Sequence, residues 1–357
     1  MGLNESAFYR RVVELLRAAQ PFWMCRVMRV TGSAPRNSGA QMLVLTDGAS
    51  EFTLGGGAME GRVIRAALLA PASADSLLME YHLSDLGMHC GGLMQVSLER
   101  ARAADLPLFE RAARWVEERR AFWFVQDAGQ PSGAPLRKAL LSAEGEAFGD
   151  EVLVADARSN LETLARQGQA TLEAGQCFMQ KVSPPRRLLV FGAGHVGAKL
   201  AEVAHAAGLF RVEVADDRAE FADAAKLWFC DRVELVAPNY VGPLPLPDLH
   251  TCVAVITRCH ATDKVVLKTL LQSGKPFAYL GMIGSVPKRA RLFKMLKDEG
   301  VDPDLLQRVI TPMGLPIGGK QPGEIAISML AQMIQCQNQT QEGGGSSWSS
   351  HLTAQGA

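Results

Sequence analysis

Apolar positions recur at helical spacing over residues 5 to 19, where Phe8, Val12, Leu15 and Leu16 share one face. The period then changes. Arg26 to Val30 alternates as a strand does, Ala40 to Thr46 predicts a second strand, and Asp47-Gly48 is a hairpin turn signal before a partner strand over Glu51 to Leu54. Helical spacing returns from Met59 to Leu69, directly after Gly55-Gly56-Gly57 and with Glu60 in the first turn. Further on, the pattern predicts a strand over Leu93 to Leu98 and a helix over residues 107 to 119. Strands over Ala121 to Gln126, Leu136 to Leu141 and Glu151 to Val154 follow, then a short helix over Ser159 to Gln167 and a strand over Cys177 to Val182. Ser183-Pro184-Pro185 is the expected domain boundary.

Beyond it the apolar run Leu188-Leu189-Val190-Phe191 is long enough for a buried parallel strand, and it stops at Gly192. Val196, Leu200, Val203, Ala204 and Ala207 then recur at helical spacing, so Gly192, Gly194 and Gly197 form G-x-G-x-x-G at a strand-to-helix turn. The first glycine permits the turn, the second lets backbone approach a phosphate, and the third lets the helix pack close to the strand. A second strand, Arg211 to Ala215, ends at Asp216-Asp217, where such units hold a ribose-binding carboxylate. Strands over Arg232 to Val236, Thr251 to Thr257 and Phe277 to Leu280 alternate with helices from Asp263 to Gln272 and from Ser285 to Lys297, and a last helix starts near Pro322. The expected fold class is α/β. It has an N-terminal α/β domain over residues 1–183, a Rossmann-like doubly wound parallel sheet over residues 186–335, and a disordered Gln/Gly/Ser-rich tail over residues 337–357.

Composition narrows the function classes. The 37 basic and 37 acidic side chains balance, so no nucleic-acid or membrane-surface partner is expected. No apolar run approaches the roughly 20 residues of a spanning helix, and the first residues lack the pattern of a signal peptide. Seven cysteines without C-x-x-C spacing indicate neither a disulfide scaffold nor a zinc site, which points to a reducing cytoplasm.

Four places carry candidate chemistry. The strand-to-helix turns at Gly192 to Gly197 and at Gly55 to Gly57 present converging N–H groups and a helix dipole to an anion, and Arg36 on the preceding loop adds a positive charge to the second. The bland alternative at Gly55 to Gly57 is a tight turn, with Glu60 complementing the dipole. Gly284-Ser285 opens another helix after a strand of the Rossmann half. Cys90, between His89 and Gly91-Gly92, is either an accessible thiolate able to ligate a soft metal or a small residue at a strand start.

Taken together, three runs carry a family resemblance: Gly32-Ser33-Ala34-Pro35-Arg36 with Gly55-Gly56-Gly57-Ala58-Met59-Glu60; Gly87-Met88-His89-Cys90-Gly91-Gly92; and Ile283-Gly284-Ser285 with Pro312 to Gly318. With the glycine fingerprint between them, the chain resembles the xanthine dehydrogenase accessory protein family, the XdhC/CoxI group, from about residue 8 to 335. The resemblance implies a cytoplasmic maturation factor. Such a factor binds molybdenum cofactor (molybdopterin), protects it during sulfuration by a cysteine desulfurase, and assists its insertion into an apo molybdenum hydroxylase; a homo-oligomer is expected. It also makes Cys90 the candidate metal ligand. Two positions depart from the family pattern: His89 stands where many relatives carry a second cysteine, and Arg258 where relatives often have histidine. The alternatives are an NAD(P)-dependent oxidoreductase, for which His195 and His260 are weak proton-transfer candidates, and a nucleotide-sensing regulatory protein.

Overall fold

The computed structural model describes residues 2–86, 91–128, 133–167, 171–174 and 177–342. The chain divides after Pro184 into two units.

In the first unit a helix, a three-stranded meander, a second helix and a returning hairpin occur twice. The first pass is α1 (Gly2–Arg17), β1 (Phe22–Thr31), β2 (Gln41–Leu45), β3 (Ser50–Phe52), α2 (Gly57–Leu69), β4 (Ser76–His82) and β5 (Leu93–Arg100). The second is α3 (Leu106–Glu117), β6 (Phe122–Asp127), β7 (Lys138–Ser142), β8 (Ala147–Gly149), α4 (Glu151–Gln167), β9 (Thr171–Ala174) and β10 (Cys177–Val182). Their sheets run β3-β2-β1-β5-β4 and β8-β7-β6-β10-β9, antiparallel throughout. The equivalence reaches individual residues. Phe22-Trp23 and Phe122-Trp123 start matching strands. Ala19 and Arg119, three residues earlier in each pass, both sit at positive φ, 51° and 59°. The next N–H groups, of Gln20 and Arg120, donate to the carbonyls of Leu15 and Trp115.

The two sheets share an apolar core with α1 and α3, including Tyr9, Leu43, Phe109, Trp115, Phe124 and Leu140. Polar pairs are buried in this unit at related positions. Glu99 of β5 and Gln180 of β10 occupy the same register point, opposite Met24 and Phe124. Lys138 of β7 donates to Glu99, to Asp105 at 2.9 Å and to the Leu136 carbonyl at 3.1 Å. Arg26 of β1 donates to Gln180 and lies 4.1 Å from the centre of the Phe124 ring.

One expected strand is corrected here. Glu151 to Val154 begins α4 rather than a strand, because Asp150 accepts from the Leu153 N–H at 3.0 Å and Leu153, Val154, Ala157 and Leu161 fall on one helical face. Strands β4, β8 and β9 have no counterpart in the apolar pattern of the sequence.

The second unit comprises β11 (Arg187–Phe191), α5 (His195–Ala206), β12 (Arg211–Asp216), β13 (Arg232–Leu235), β14 (Thr251–Val255), α6 (His260–Gln272), β15 (Tyr279–Met282), α7 (Val286–Asp298), α8 (Pro303–Gln307) and α9 (Pro322–Glu342). Its sheet runs β13-β12-β11-β14-β15, parallel throughout with β11 at the centre. Both faces are covered, which is why β11 reads as a continuous apolar run. Leu188 and Val190 pack in one core cluster with residues of α5 and α9, while Leu189 and Phe191 pack in the other with residues of α6 and α7. The strand order reverses between β11 and β14, so the crevice of an open α/β sheet lies at their carboxyl ends. The expected tail also needs correction: residues 337–342 continue α9, and Gln337 is buried with its amide donating to the Cys252 sulfur at 3.0 Å. Residues 343–357 lie outside the described residues. No described helix is long and apolar enough to cross a membrane.

Candidate functional site

Three glycines build the turn after β11, for three different reasons. Gly192 has φ 107°, and a Cβ there would lie 2.2 Å from the Ile256 carbonyl oxygen. At Gly197 a Cβ would lie 1.9 Å from the Gly192 carbonyl oxygen. These two glycines are demanded by the fold. Gly194 is not: its φ is −65°, and a Cβ there would meet nothing within 4 Å. It is the N-cap of α5 and no side chain caps the helix, so first-turn N–H groups face open space. A glycine in an ordinary conformation beside unfilled space is what close approach of a ligand requires.

The two acids after β12 are both engaged. Asp216 is fully buried; its carboxylate accepts the Ala193 N–H at 2.7 Å and the Arg218 N–H and guanidinium at 3.0 Å. It thereby ties the glycine turn to the end of β12. Asp217 accepts from Arg258, and from the Asn239 N–H at 2.8 Å, while the Arg258 guanidinium also donates to Asn239 Oδ1 at 2.7 Å. Arg258 is therefore an ion-pair partner, and nothing in the local spacing marks that role.

On the far side of the crevice Cys259 is exposed at the N-cap of α6, where the Thr262 hydroxyl and N–H hold its thiol below the usual value. Buried Asp263 accepts from Thr257 and, at 2.8 Å, from Lys288. Ser285 caps α7 by accepting the Lys288 N–H at 3.4 Å. At Gly284 a Cβ would stand 3.1 Å from the Lys288 side chain, so the missing side chain leaves the path along which Lys288 reaches Asp263.

In the first unit three of the quoted motifs meet. The Gly92 N–H donates to the Ser33 carbonyl at 3.0 Å, and Pro35 and Arg36 pack where a Gly55 Cβ would stand, at 2.8 Å and 3.3 Å. Gly55, Gly56 and Gly57 all have positive φ. Two of their N–H groups are already taken. Glu60 turns back from α2, and its Oε1 accepts from the N–H groups of Leu54 at 2.8 Å, Gly55 at 3.2 Å and Gly56 at 2.8 Å, and from the Thr53 hydroxyl at 2.6 Å. The turn does bind an anion, and the anion is the chain's own carboxylate. Burial works to raise the Glu60 carboxyl, but these donors outweigh it and hold it below the ordinary carboxylate range. Arg36 is exposed. Gly87, Met88, His89 and Cys90 lie outside the described residues.

Glu60→Ala leaves three N–H groups without their acceptor and should lower stability at pH 7 by about 1–3 kcal/mol in a urea titration. Because the folded carboxyl is held low, the contribution of Glu60 is present above the unfolded value of about 4.3 and fades as pH falls through the folded one. The gap between wild type and Glu60→Ala should thus narrow in acid; a gap that widens there would contradict the carboxylate role.

Known proteins resemble this chain along most of its length. A profile described as "XdhC Rossmann domain" matches residues 188–333, and one described as "XdhC and CoxI family" matches residues 15–82. A Bacillus subtilis (strain 168) protein described as a probable xanthine dehydrogenase component is 25% identical over 339 residues, covering 92% of this chain and 97% of that protein. The Escherichia coli (strain K12) protein YqeB, described as uncharacterized, is 25% identical over 323 residues; the match covers 89% of this chain but 44% of YqeB. Among solved structures, a Bacillus halodurans protein described as a xanthine dehydrogenase matches with a TM-score of 0.76 and 26% identity, covering 98% of this chain and 99% of that one.

Proposed function

The chain belongs to the XdhC and CoxI family, and from that premise we propose that it is an accessory factor for a xanthine dehydrogenase-type molybdenum hydroxylase. In this reading it binds molybdenum cofactor as cargo, protects it while a cysteine desulfurase sulfurates it, and hands it to the apo-enzyme in the cytoplasm. The observation that carries a cargo site in this chain is Gly194: packing does not demand a glycine there, and a helix N-terminus without a side-chain cap faces the space it leaves. The phosphate of the cofactor suits that turn. It does not suit Gly55 and Gly56, whose N–H groups Glu60 holds. Cys90 is assigned the soft-ligand role on its chemistry and its place in the family motif.

The reading of the chain as a nicotinamide-dependent oxidoreductase is less well supported, because a ribose diol needs an available carboxylate and both Asp216 and Asp217 are engaged.

The test is purification of the full chain from a host that makes molybdenum cofactor, with molybdenum and oxidised pterin measured in the product. Wild-type protein should carry both. Cys90→Ala should melt like wild type, retain molybdenum at least about tenfold less well, and fail to support activation of the hydroxylase. Wild-type protein that carries neither molybdenum nor pterin, and hydroxylase activation that is the same without the chain, would reject the reading.

A further inference from the structure

The Asp217–Arg258 pair joins the loops that follow β12 and β14, the two strands that flank β11. The link therefore runs from one side of the central strand to the other at the ligand-binding edge of the sheet. Asn239, beyond β13, locks it from a third loop: its N–H donates to Asp217 and its side-chain oxygen accepts from Arg258. Asn239 and the next residue, Tyr240, both adopt positive φ, 56° and 60°, so the backbone holds an unfavourable conformation where it contributes to this link. The Asp217 side chain is 3% exposed, whereas that of Arg258 is 35% exposed, so the carboxylate is fixed and the guanidinium is the member able to leave.

We propose that Arg258 gates the ligand choice of the Rossmann crevice. Paired with Asp217, it occupies the carboxylate that a nucleotide ribose would need as acceptor. Swung away, it offers a planar guanidinium to a phosphate group, which accepts two parallel N–H bonds as the carboxylate did. The crevice is thereby set for a phosphate-bearing ligand that makes no use of a ribose diol. The gate stands or falls separately from the cofactor-carrier role, because neither of its probes is molybdenum cofactor.

The experiment is a titration of the full chain with NADH, followed by fluorescence, and with inorganic pyrophosphate, followed by calorimetry. Arg258→Ala frees Asp217 and should bind NADH about tenfold or more tighter than wild type, while its affinity for pyrophosphate falls by a similar factor. Asp217→Asn frees Arg258 instead, so it should bind pyrophosphate more tightly than wild type and gain no affinity for NADH. Thermal melts establish that each variant is folded, and should Arg258→Ala fail to fold, the Asp217→Asn titrations decide alone. The gate is overturned if Arg258→Ala binds NADH no better than wild type, or if Asp217→Asn leaves pyrophosphate affinity unchanged or lowers it.

Discussion

Gly197→Ala is expected to destabilise the Rossmann unit by about 3 kcal/mol or more, at the upper end of what overpacking costs. The added methyl would stand 1.9 Å from the Gly192 carbonyl oxygen. That atom is backbone, and the residue carrying it is itself tied to β12 through its N–H bond to the Ala215 carbonyl. No side chain can swing away to make room. Gly194→Ala is the control within the same turn. Its methyl meets nothing and its φ is ordinary, so the cost should stay below about 1 kcal/mol, the loss of a favourable N-cap residue. A larger Gly194→Leu should likewise fold but lose phosphate-bearing ligands, because the side chain fills the space in front of α5. Denaturant titrations of the three variants check this. Equal stabilities for Gly197→Ala and Gly194→Ala would mean that the turn relaxes in a way the close carbonyl contact forbids.

A second large loss is expected from Lys138→Ala. Lys138, Glu99 and Asp105 are all buried, and removing the ammonium leaves two carboxyl groups side by side without their cation, at a cost of about 3–5 kcal/mol. Burial pushes the Glu99 carboxyl up to about 7, against the opposing pull of Lys138. For a group raised in this way, the stabilising contribution is complete below the unfolded value of about 4.3 and is lost as pH rises through the folded one. Wild-type protein should thus gain stability from Glu99 between pH 8 and pH 5. The Lys138→Ala deficit should shrink over the same window, as protonation removes the uncompensated charge. A deficit under about 1 kcal/mol, or one independent of pH, would show that the network carries little of the packing in this unit.

How far the sequence discloses this protein differs between its halves. The Rossmann sheet is legible because its signals are local: a continuous apolar run, a glycine triplet at fixed spacing and a helical period follow one another without a gap. The duplicated first unit is not, because its two passes agree in register and junction geometry while sharing little beyond Phe22-Trp23 and Phe122-Trp123. The short apolar run at Glu151 to Val154 shows the ambiguity of length, since four residues fit a buried strand and a helix turn equally until Asp150 is seen to cap Leu153.

Within the candidate site, spacing found Gly192, Gly194, Gly197, Asp216 and Asp217, but not who their partners are. Glu60 resembles any acid in a first helical turn, and only the backward reach of its side chain reveals the turn it fills. Arg258 stood out solely as a departure from the family pattern. Its contact with Asp217, across 41 positions of sequence, is set by the parallel order of β12, β11 and β14.

The placement of β10 also bears on how the chain is made. Both antiparallel sheets are complete at Val182, before Pro184-Pro185, and neither borrows a strand from the residues that follow. A ribosome adding about 5–20 residues per second still needs roughly 10–30 s to deliver the rest of the chain. The first unit can therefore close its core while the parallel sheet is still being synthesised. The slower β11–β14 pairing, which must wait for a strand some 60 residues downstream, then begins beside a finished neighbour rather than among its unpaired strands.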